Sequence, residues 1–333
     1  MVRLRRVRID APGWTRRRSG RGFSYLDHTG ARVTDPEHLD RITHLAIPPA
    51  WQDVWISPWP NGHIQAAGLD EAQRRQYLYH LQWRARRDKQ KHDQVLVVAR
   101  RLPSARRKVT ADLEQEGFPR EKALALAFRL LDLAYLRVGG EGYAKKHGSY
   151  GLATLRREHV EVLDPEHDGD EGRVHLHFPA KSGQIRDTVV EDTVVADLIR
   201  TLVRRDDPSP EVLAWRDDEG TWHDVTSADV GTYVKARLGE EASPKTFRTW
   251  HATVLAARGL AGVGEPPATD RARKRAVSGV VKDVAAELGN TPTVCRASYI
   301  DPRVIELWER GSTITPTRSQ RVAEKRTLEL LGS

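Results

Sequence analysis

The pattern of apolar and polar positions changes character near residue 88. Before it, short alternating segments such as residues 22–25 and 63–67 are separated by turn residues such as Asn61-Gly62, a pattern typical of short strands in a small sheet. After it, apolar residues recur mostly at helical spacing. The sequence therefore predicts an α+β protein with a small β-sheet-rich domain over residues 1–88 and a larger, mainly helical domain over residues 89–333.

The second part opens with two predicted helices and then a buried one. Residues 91–101 predict a helix that Leu102-Pro103 is expected to interrupt, before a second helix runs towards Gly117. Residues 121–136 are apolar nearly all round and are followed by Gly139-Gly140, which predicts a core helix.

A segment of period two follows the predicted core helix. The apolar residues are Val174, Leu176 and Phe178, and they alternate with the polar residues Arg173, His175 and His177. The turn sequence Lys181-Ser182-Gly183 follows. This alternation predicts a β-hairpin inserted into the helical domain, with Lys181 at its tip.

Helical spacing returns in the last third of the chain. Two apolar faces are evident: Phe247, Trp250, Val254 and Leu255, and then Val277, Val280, Val281, Val284 and Leu288, the second ending at Gly289. Thr291-Pro292 predicts the N-cap and first residue of a short helix that carries Tyr299 and ends at Asp301-Pro302.

Length and composition place the chain among folded proteins with two domains. The 333 residues exceed what one hydrophobic core comfortably organises, and 39% hydrophobic residues with nine Trp argue against disorder. The single cysteine, Cys295, excludes an intrachain disulfide and a cysteine cluster for zinc. We see no signal-peptide core and no apolar run of membrane-spanning length, and a reducing cytoplasm fits this composition.

The charge balance indicates a polyanionic partner. A net charge of +8 and a pI near 9.6 favour nucleic acid. Charge alone leaves membranes and acidic proteins open as partners, so the chemistry of individual residues has to decide.

Four residues in the second part could together attack a phosphodiester without a metal ion. Such a reaction needs a nucleophile, cations for the phosphoryl oxygens and an acid for the leaving oxygen. Tyr299 can be the nucleophile, Arg137 and Arg248 the cations, and Lys181 the acid. Each also has an ordinary structural interpretation: a half-buried tyrosine, a helix-terminal arginine, a helix-edge arginine and a solvated turn lysine.

The surroundings of these residues resemble the compact, poxvirus-like type IB DNA topoisomerases of bacteria. The similar segments, in order, are Ile47-Pro48-Pro49-Ala50-Trp51, Gly62-His63-Ile64-Gln65, Arg137-Val138-Gly139-Gly140-Glu141 with Gly148-Ser149-Tyr150-Gly151-Leu152, Lys181-Ser182-Gly183, residues 245–250 and residues 288–302. The resemblance covers nearly the whole chain. It implies that the protein cuts one strand of duplex DNA, holds the 3' end as a phosphotyrosine, lets the duplex rotate and reseals it, with neither ATP, a metal ion nor another cofactor.

Carried over position by position, the resemblance implies a role for each candidate. Arg137 and Arg248 would hold the scissile phosphate, Lys181 would protonate the leaving 5' oxygen, and Lys245 would assist that proton transfer. Asn290 stands where the family often has histidine. Because asparagine can donate a hydrogen bond but carries no charge, we expect slower cleavage than a histidine would give.

Two further departures lie near the same motifs. Gly140 stands where many relatives have asparagine, and Gln184 where a basic residue is common. We therefore expect one DNA contact of the relatives to differ at that edge of the protein.

Contacts with DNA are expected in both domains. A strand that carries basic and aromatic residues could lie along a groove; its members are Arg74, Arg75, Gln76, Tyr77 and Tyr79. Ser182 and Lys145 are the candidates in the second domain. The resemblance implies that the first domain covers the opposite side of the duplex, so that a monomer closes as a clamp around DNA in the cytoplasm, at the nucleoid, without contact with a membrane.

Two alternatives stay open at this point. A tyrosine recombinase would share the arginine, lysine and tyrosine arrangement, but that class usually carries His-x-x-Arg where this chain has Lys245-x-x-Arg248. A DNA-binding protein that has lost its activity is the second alternative, and an intact Tyr299 argues against it.

Overall fold

The computed structural model describes residues 3–163 and 171–332 and forms two compact units, residues 1–92 and 93–333. The α+β class is confirmed, since the first unit contains a five-stranded sheet and the second is mainly helical with a small sheet of its own. The boundary between the units falls within a long helix, α2 (Leu81–Leu113). The division of function at residue 88 remains a prediction.

The first unit is an antiparallel sheet with one helix. Its strands are β1 (Trp14–Ser19), β2 (Gly22–Leu26), β3 (Gln52–Ile56), β4 (Ile64–Leu69) and β5 (Arg75–Tyr79), in the spatial order β2-β1-β3-β4-β5. Helix α1 (Pro36–His44) was not predicted from the sequence. Its local signals are nevertheless ordinary, because Asp35 is an N-cap that accepts from the Glu37 and His38 backbone N–H groups and Pro36 is the first helical residue.

Two of the quoted motifs of this unit have structural roles. The guanidinium of Arg16 donates to the carbonyl oxygens of Pro48 and Trp51, at 3.0 and 2.6 Å, which holds the proline-rich loop against the sheet. Gln65 is 4% exposed and donates to the carbonyl oxygen of Gly62 at 2.7 Å. These contacts hold the backbone of the loop and of the turn against the sheet.

The second unit surrounds a central buried helix. Its helices after α2 are α3 (Arg120–Ala134), α4 (Glu141–His147), α5 (Thr193–Val203), α6 (Ser227–Leu238), α7 (Pro244–Val263), α8 (Asp270–Leu288), α9 (Pro292–Ser298), α10 (Pro302–Glu309) and α11 (Gln320–Gly332). The predicted core helix is α3, which packs against α5, α6 and α7. It ends earlier than predicted, because Tyr135 takes a left-handed conformation with φ of 56° and closes the helix.

The expected break at Leu102-Pro103 was wrong. Helix α2 runs through Pro103 without interruption, although proline removes one helical hydrogen bond and crowds the preceding turn. Leu102 and Ala105, on either side of the proline, are both buried in the core of the second unit, and so are Val98 and Val109 further along. Burial of one continuous apolar face on both sides of Pro103 offsets the local cost.

The inserted β segment is confirmed and contains one strand more than the hairpin. Its strands are β6 (Val160–Leu163), β7 (Arg173–Pro179) and β8 (Ile185–Glu191), antiparallel in the order β6-β7-β8. A short 3-10 turn, Lys181–Gly183, joins β7 to β8. Val174, Leu176 and Phe178 are buried, as the alternation predicted. A second small hairpin, β9 (Ala214–Arg216) and β10 (Trp222–Asp224), was not foreseen.

A buried ionic cluster joins four helices of the second unit. Arg106 on α2 bonds to Asp132 on α3 at 2.6 Å and to Glu324 on α11 at 2.7 Å, and His251 on α7 bonds to Asp132 at 2.9 Å. Such a cluster tolerates few displacements, because a buried charge that loses its partner is strongly destabilising. It therefore fixes α3 against α7, the two helices that lead into the site described next.

The helices within the described ranges include none that combines the length and the apolar character needed to cross a membrane.

Candidate active site

Tyr299 lies at the junction between two short helices. It is the first residue after α9, whose N-cap Thr291 and leading Pro292 agree with the predicted helix start. The prediction that this helix includes Tyr299 and ends at Asp301-Pro302 was wrong, because Tyr299 leaves the helical conformation and α9 ends at Ser298. Thr253 on α7 contacts both sides of this junction: its hydroxyl lies 3.3 Å from the Tyr299 carbonyl oxygen and accepts from the Asp301 N–H at 3.1 Å. The backbone at Tyr299 is therefore held on the same helix that carries Arg248.

The ring of Tyr299 faces two cations from the beginning of α7. The Arg248 guanidinium carbon lies 5.1 Å from the ring centroid and the Lys245 Nζ lies 5.5 Å from it. Arg248 is 3% exposed, Tyr299 is 8% exposed, and Lys245 is exposed to solvent. Spacing of three residues puts Lys245 and Arg248 on the same side of the helix, the side that faces the Tyr299 ring.

Arg248 is held by carbonyl groups at the ends of two other helices. It donates to the carbonyl oxygen of Tyr135, where α3 ends, and to that of Leu288, the last residue of α8, the latter at 2.8 Å. The C-terminus of a helix carries partial negative charge, so it stabilises a cation placed there. The two helix ends thereby fix the guanidinium beside Tyr299.

Arg137 reaches the same helix end from a loop. It donates to the Gly289 carbonyl oxygen at 3.4 Å and to the Asn290 Oδ1 at 2.5 Å. Asn290 therefore lies in the site and touches the first arginine directly. Its Nδ2 is buried and has no hydrogen-bond partner among the described residues, so this donor is available to a further acceptor.

Close backbone packing holds the loop that carries Arg137. The Leu152 N–H donates to the Arg137 carbonyl oxygen at 2.9 Å. A Cβ at Gly151 would lie 2.5 Å from the Gly139 nitrogen, a distance that no side chain tolerates. The glycines of this motif are thus required by the contact between the two loop segments.

Sequence reasoning missed a third arginine of the site, the buried Arg186 on β8. Its guanidinium donates to the carbonyl oxygens of Ala134 at 3.0 Å and Glu287 at 2.6 Å, so it joins the ends of α3 and α8. It is 8% exposed and lines a small cavity together with Arg137 and Arg248. No local signal marks it, because an arginine on a strand next to a turn usually reaches solvent.

Lys181 lies near this cavity without entering the cluster. It is exposed at the turn between β7 and β8, and among the described residues it has no hydrogen bond or ion pair. Ala180 and Gln184, on either side of the turn, line the same cavity as Arg137 and Arg248. The turn therefore opens beside the arginine cluster, and the side chain of Ser182 lies outside the described part.

The charges around Tyr299 change its acidity. Burial by itself raises the pKa of the phenol, but the charge of Arg248 and its interaction with the hydroxyl, together with the charges of Lys245 and Arg137, bring the pKa below the ordinary tyrosine value. Burial and the neighbouring Arg137 lower the pKa of Arg248 to about 10, so it remains a cation at neutral pH. Burial raises the pKa of the Cys295 thiol to about 11, which makes it a poor nucleophile.

The remaining candidates lie on surfaces. Tyr77 and Tyr79 on β5 are 38% and 45% exposed, and their rings stack with centroids 5.8 Å apart. They are therefore not packed beneath the sheet. Arg75 is exposed and Gln76 half-buried, whereas Arg74 pairs with Asp70 at 2.8 Å.

A groove in the first unit extends this basic and aromatic surface. Its volume is about 1340 Å³, and Tyr77 and Tyr79 line it. Sequence reasoning missed its basic residues, which are Arg6, Arg8, Arg84 and Arg87. In the second unit, Lys145 is exposed in the last turn of α4.

Two family models and a named relative match this chain. The family model of the eukaryotic DNA topoisomerase I catalytic core matches residues 80–321, and that of the N-terminal domain of bacterial DNA topoisomerase IB matches residues 22–70. DNA topoisomerase 1B of Acanthamoeba polyphaga mimivirus is 26% identical over 306 residues, which cover 90% of this chain and 88% of that protein.

We predict that removal of either cation facing the ring raises the pKa of Tyr299, because a phenolate loses its stabilising charge. The pKa of this one tyrosine can be measured as the difference in tyrosinate absorbance between a protein and its Tyr299→Phe version during an alkaline titration. Arg248→Gln and Lys245→Gln should both raise it. Lys235→Gln, which removes an exposed lysine on α6, is the control. An unchanged value in both test variants would contradict this account of the site.

Proposed function

We propose, since the chain belongs to the type IB DNA topoisomerases, that its reaction begins when the Tyr299 phenol attacks a phosphodiester of duplex DNA. The observation that carries this proposal is the position of the phenol beside the buried Arg248 guanidinium, whose charge, together with those of Lys245 and Arg137, lowers the pKa of Tyr299. An acidic phenol is deprotonated more easily, and the same cations can bind the phosphoryl oxygens.

In the proposed cleavage step, the Tyr299 oxygen forms a bond to phosphorus while the bond to the 5' oxygen of the next nucleotide breaks. The phenol proton leaves to solvent, and Lys181 gives a proton to the departing 5' oxygen, with Lys245 assisting. One phosphodiester is exchanged for another, so the bond energy is retained. Resealing is the reverse reaction, and neither ATP nor a metal ion is required.

Three groups are proposed to bind the phosphate in the transition state. Arg137 and Arg248 supply fixed positive charge, and the free Nδ2 of Asn290 supplies one neutral hydrogen bond. The contact between Arg137 and the Asn290 Oδ1 supports this assignment. Because arginine only donates hydrogen bonds, the amide oxygen faces Arg137 and the amide nitrogen is left for the phosphate.

Both parts of the chain are proposed to bind DNA. Residues 1–88 would bind the duplex through the exposed face of β5 and its groove, and residues 89–333 would carry the catalysis, with Lys145 and Ser182 as further contacts. Arginines around the stacked tyrosines can bind the phosphates of the DNA backbone, and such contacts do not depend on the base sequence. We propose that one chain closes around DNA as a monomeric clamp, and that it acts in the cytoplasm at the nucleoid.

We predict that the protein relaxes both positively and negatively supercoiled plasmid with EDTA present and ATP absent. Tyr299→Phe should lower the rate by more than about a thousandfold, because the nucleophile is lost, and it should still bind DNA. Tyr25→Phe, which removes a hydroxyl in the first unit, should relax plasmid at the normal rate. Relaxation by Tyr299→Phe, or strand exchange between two sites, would redirect the assignment to another mechanism or to a recombinase.

We predict that Lys181→Ala slows single-turnover cleavage by roughly a hundred- to ten-thousandfold, the range expected for loss of a general acid. Replacing the 5' bridging oxygen of the DNA by sulfur should restore the rate, because a thiolate leaves without protonation. Lys235→Ala should behave normally with both substrates. If the sulfur-containing substrate is cut as slowly as ordinary DNA by Lys181→Ala, the lysine has another role.

We predict that Asn290→His speeds single-turnover cleavage by up to about tenfold, a change of about 1.4 kcal/mol, because an imidazolium adds charge next to the phosphate. Asn290→Asp is the matched opposite: its carboxylate would pair with Arg137 and slow the reaction. A rate for Asn290→His at or below that of the natural protein would count against a transition-state contact at this position.

A further inference from the structure

The outer face of the small sheet in the second unit carries four groups that can bind a metal ion. Alternate residues of a strand share one face, so His175 and His177 lie together on β7, opposite the buried face of Val174 and Leu176. Asp187 on β8 is the direct partner of His177. Glu161 on β6 is the direct partner of His175.

Their side chains converge. The His175 Nε2 lies 2.8 Å from the Asp187 Oδ1, and the His177 Nδ1 lies 3.4 Å from the Asp187 Oδ2. One ligand atom each from His175, His177 and Asp187 can be chosen so that all lie within 4.8 Å of one another. Ligands around a tetrahedral zinc ion stand about 3.3 Å apart, as bond lengths of about 2.0 Å imply, so small side-chain rotations suffice.

We propose that His175, His177 and Asp187 form a binding site for a divalent transition-metal ion of the zinc type. Two imidazoles with one carboxylate favour zinc, nickel or copper over magnesium and calcium, which prefer oxygen ligands. Glu161, whose carboxylate lies 3.7 Å from the His175 Nδ1, can orient that ring from its other side. Within the described ranges this is the one group of three such side chains close enough to hold an ion.

The proposed ligands can be reached from solvent. All three ligands are at least partly exposed to solvent, so an ion can reach them without opening the fold.

The proposed metal site lies on the two strands that flank the turn with Lys181. Its ligands come from both β7 and β8, the strands joined by the turn that carries Lys181. A bound ion would connect the two strands across the sheet and limit their separation. The site is separate from the chemistry proposed above, which uses no metal, and it does not depend on that proposal.

The test is zinc binding by the full-length protein, freed of metal with a chelator that is then removed, followed by isothermal titration with zinc chloride. We expect one zinc ion per chain at this site and a higher melting temperature with zinc present. His177→Ala and Asp187→Asn should each weaken binding by at least about tenfold. Magnesium chloride should give no comparable binding.

His223→Ala is the matched control, because His223 pairs with a single carboxylate, Asp217, at 2.7 Å on another surface hairpin. It should bind zinc as the natural protein does. Circular dichroism checks that the variants fold, which we expect since the altered side chains point outward. The proposed site would be overturned if the natural protein bound no zinc, or if His177→Ala and Asp187→Asn bound zinc as tightly as the natural protein does. The measurement needs no DNA, so its outcome is distinguishable from failure of the topoisomerase mechanism.

Discussion

The candidate active site of the second unit depends on three positively charged side chains that lie close together where little water reaches them. Arg186 and Arg248 are 8% and 3% exposed, and with Arg137 they line one cavity. Desolvation and mutual repulsion both oppose this arrangement. The carbonyl groups at the ends of α3 and α8 offset them, because each helix presents partial negative charge where a guanidinium can donate to it.

The carbonyl groups neutralise the arginines only in part. The remaining positive charge suits the reaction of a type IB topoisomerase, which acts on an anionic phosphodiester. A helix end supplies only about half a unit of negative charge, so the carbonyl groups orient the arginines without neutralising them. The Nε of Arg248 and the Nδ2 of Asn290 have no partner among the described residues. In the proposed reaction, the remaining positive charge would stabilise the phenolate of Tyr299 and a phosphoryl oxygen.

The small sheet of the second unit has one face packed in the core and one face turned to solvent. Val174, Leu176 and Phe178 pack one face against the core, whereas Lys181 in the turn is exposed and His175 and His177 lie on the opposite face, which is at least partly exposed. A change on the outer face can therefore act on the hairpin without disturbing the core. Strand β5 of the first unit is similar: Tyr77 and Tyr79 are exposed on one face, and Leu78 between them packs against the core.

What the sequence determined by itself is local. The caps of α8 and α9 at Gly289 and Thr291 and the alternation along β7 could be interpreted correctly because each depends on neighbours a few residues away. The tertiary structure alone decided that α2 continues through Pro103, since distant core contacts offset the local penalty. It alone gave Arg186 its role, because its two carbonyl partners lie 52 and 101 residues away. Such contacts depend on how helices converge, and no local pattern records that convergence.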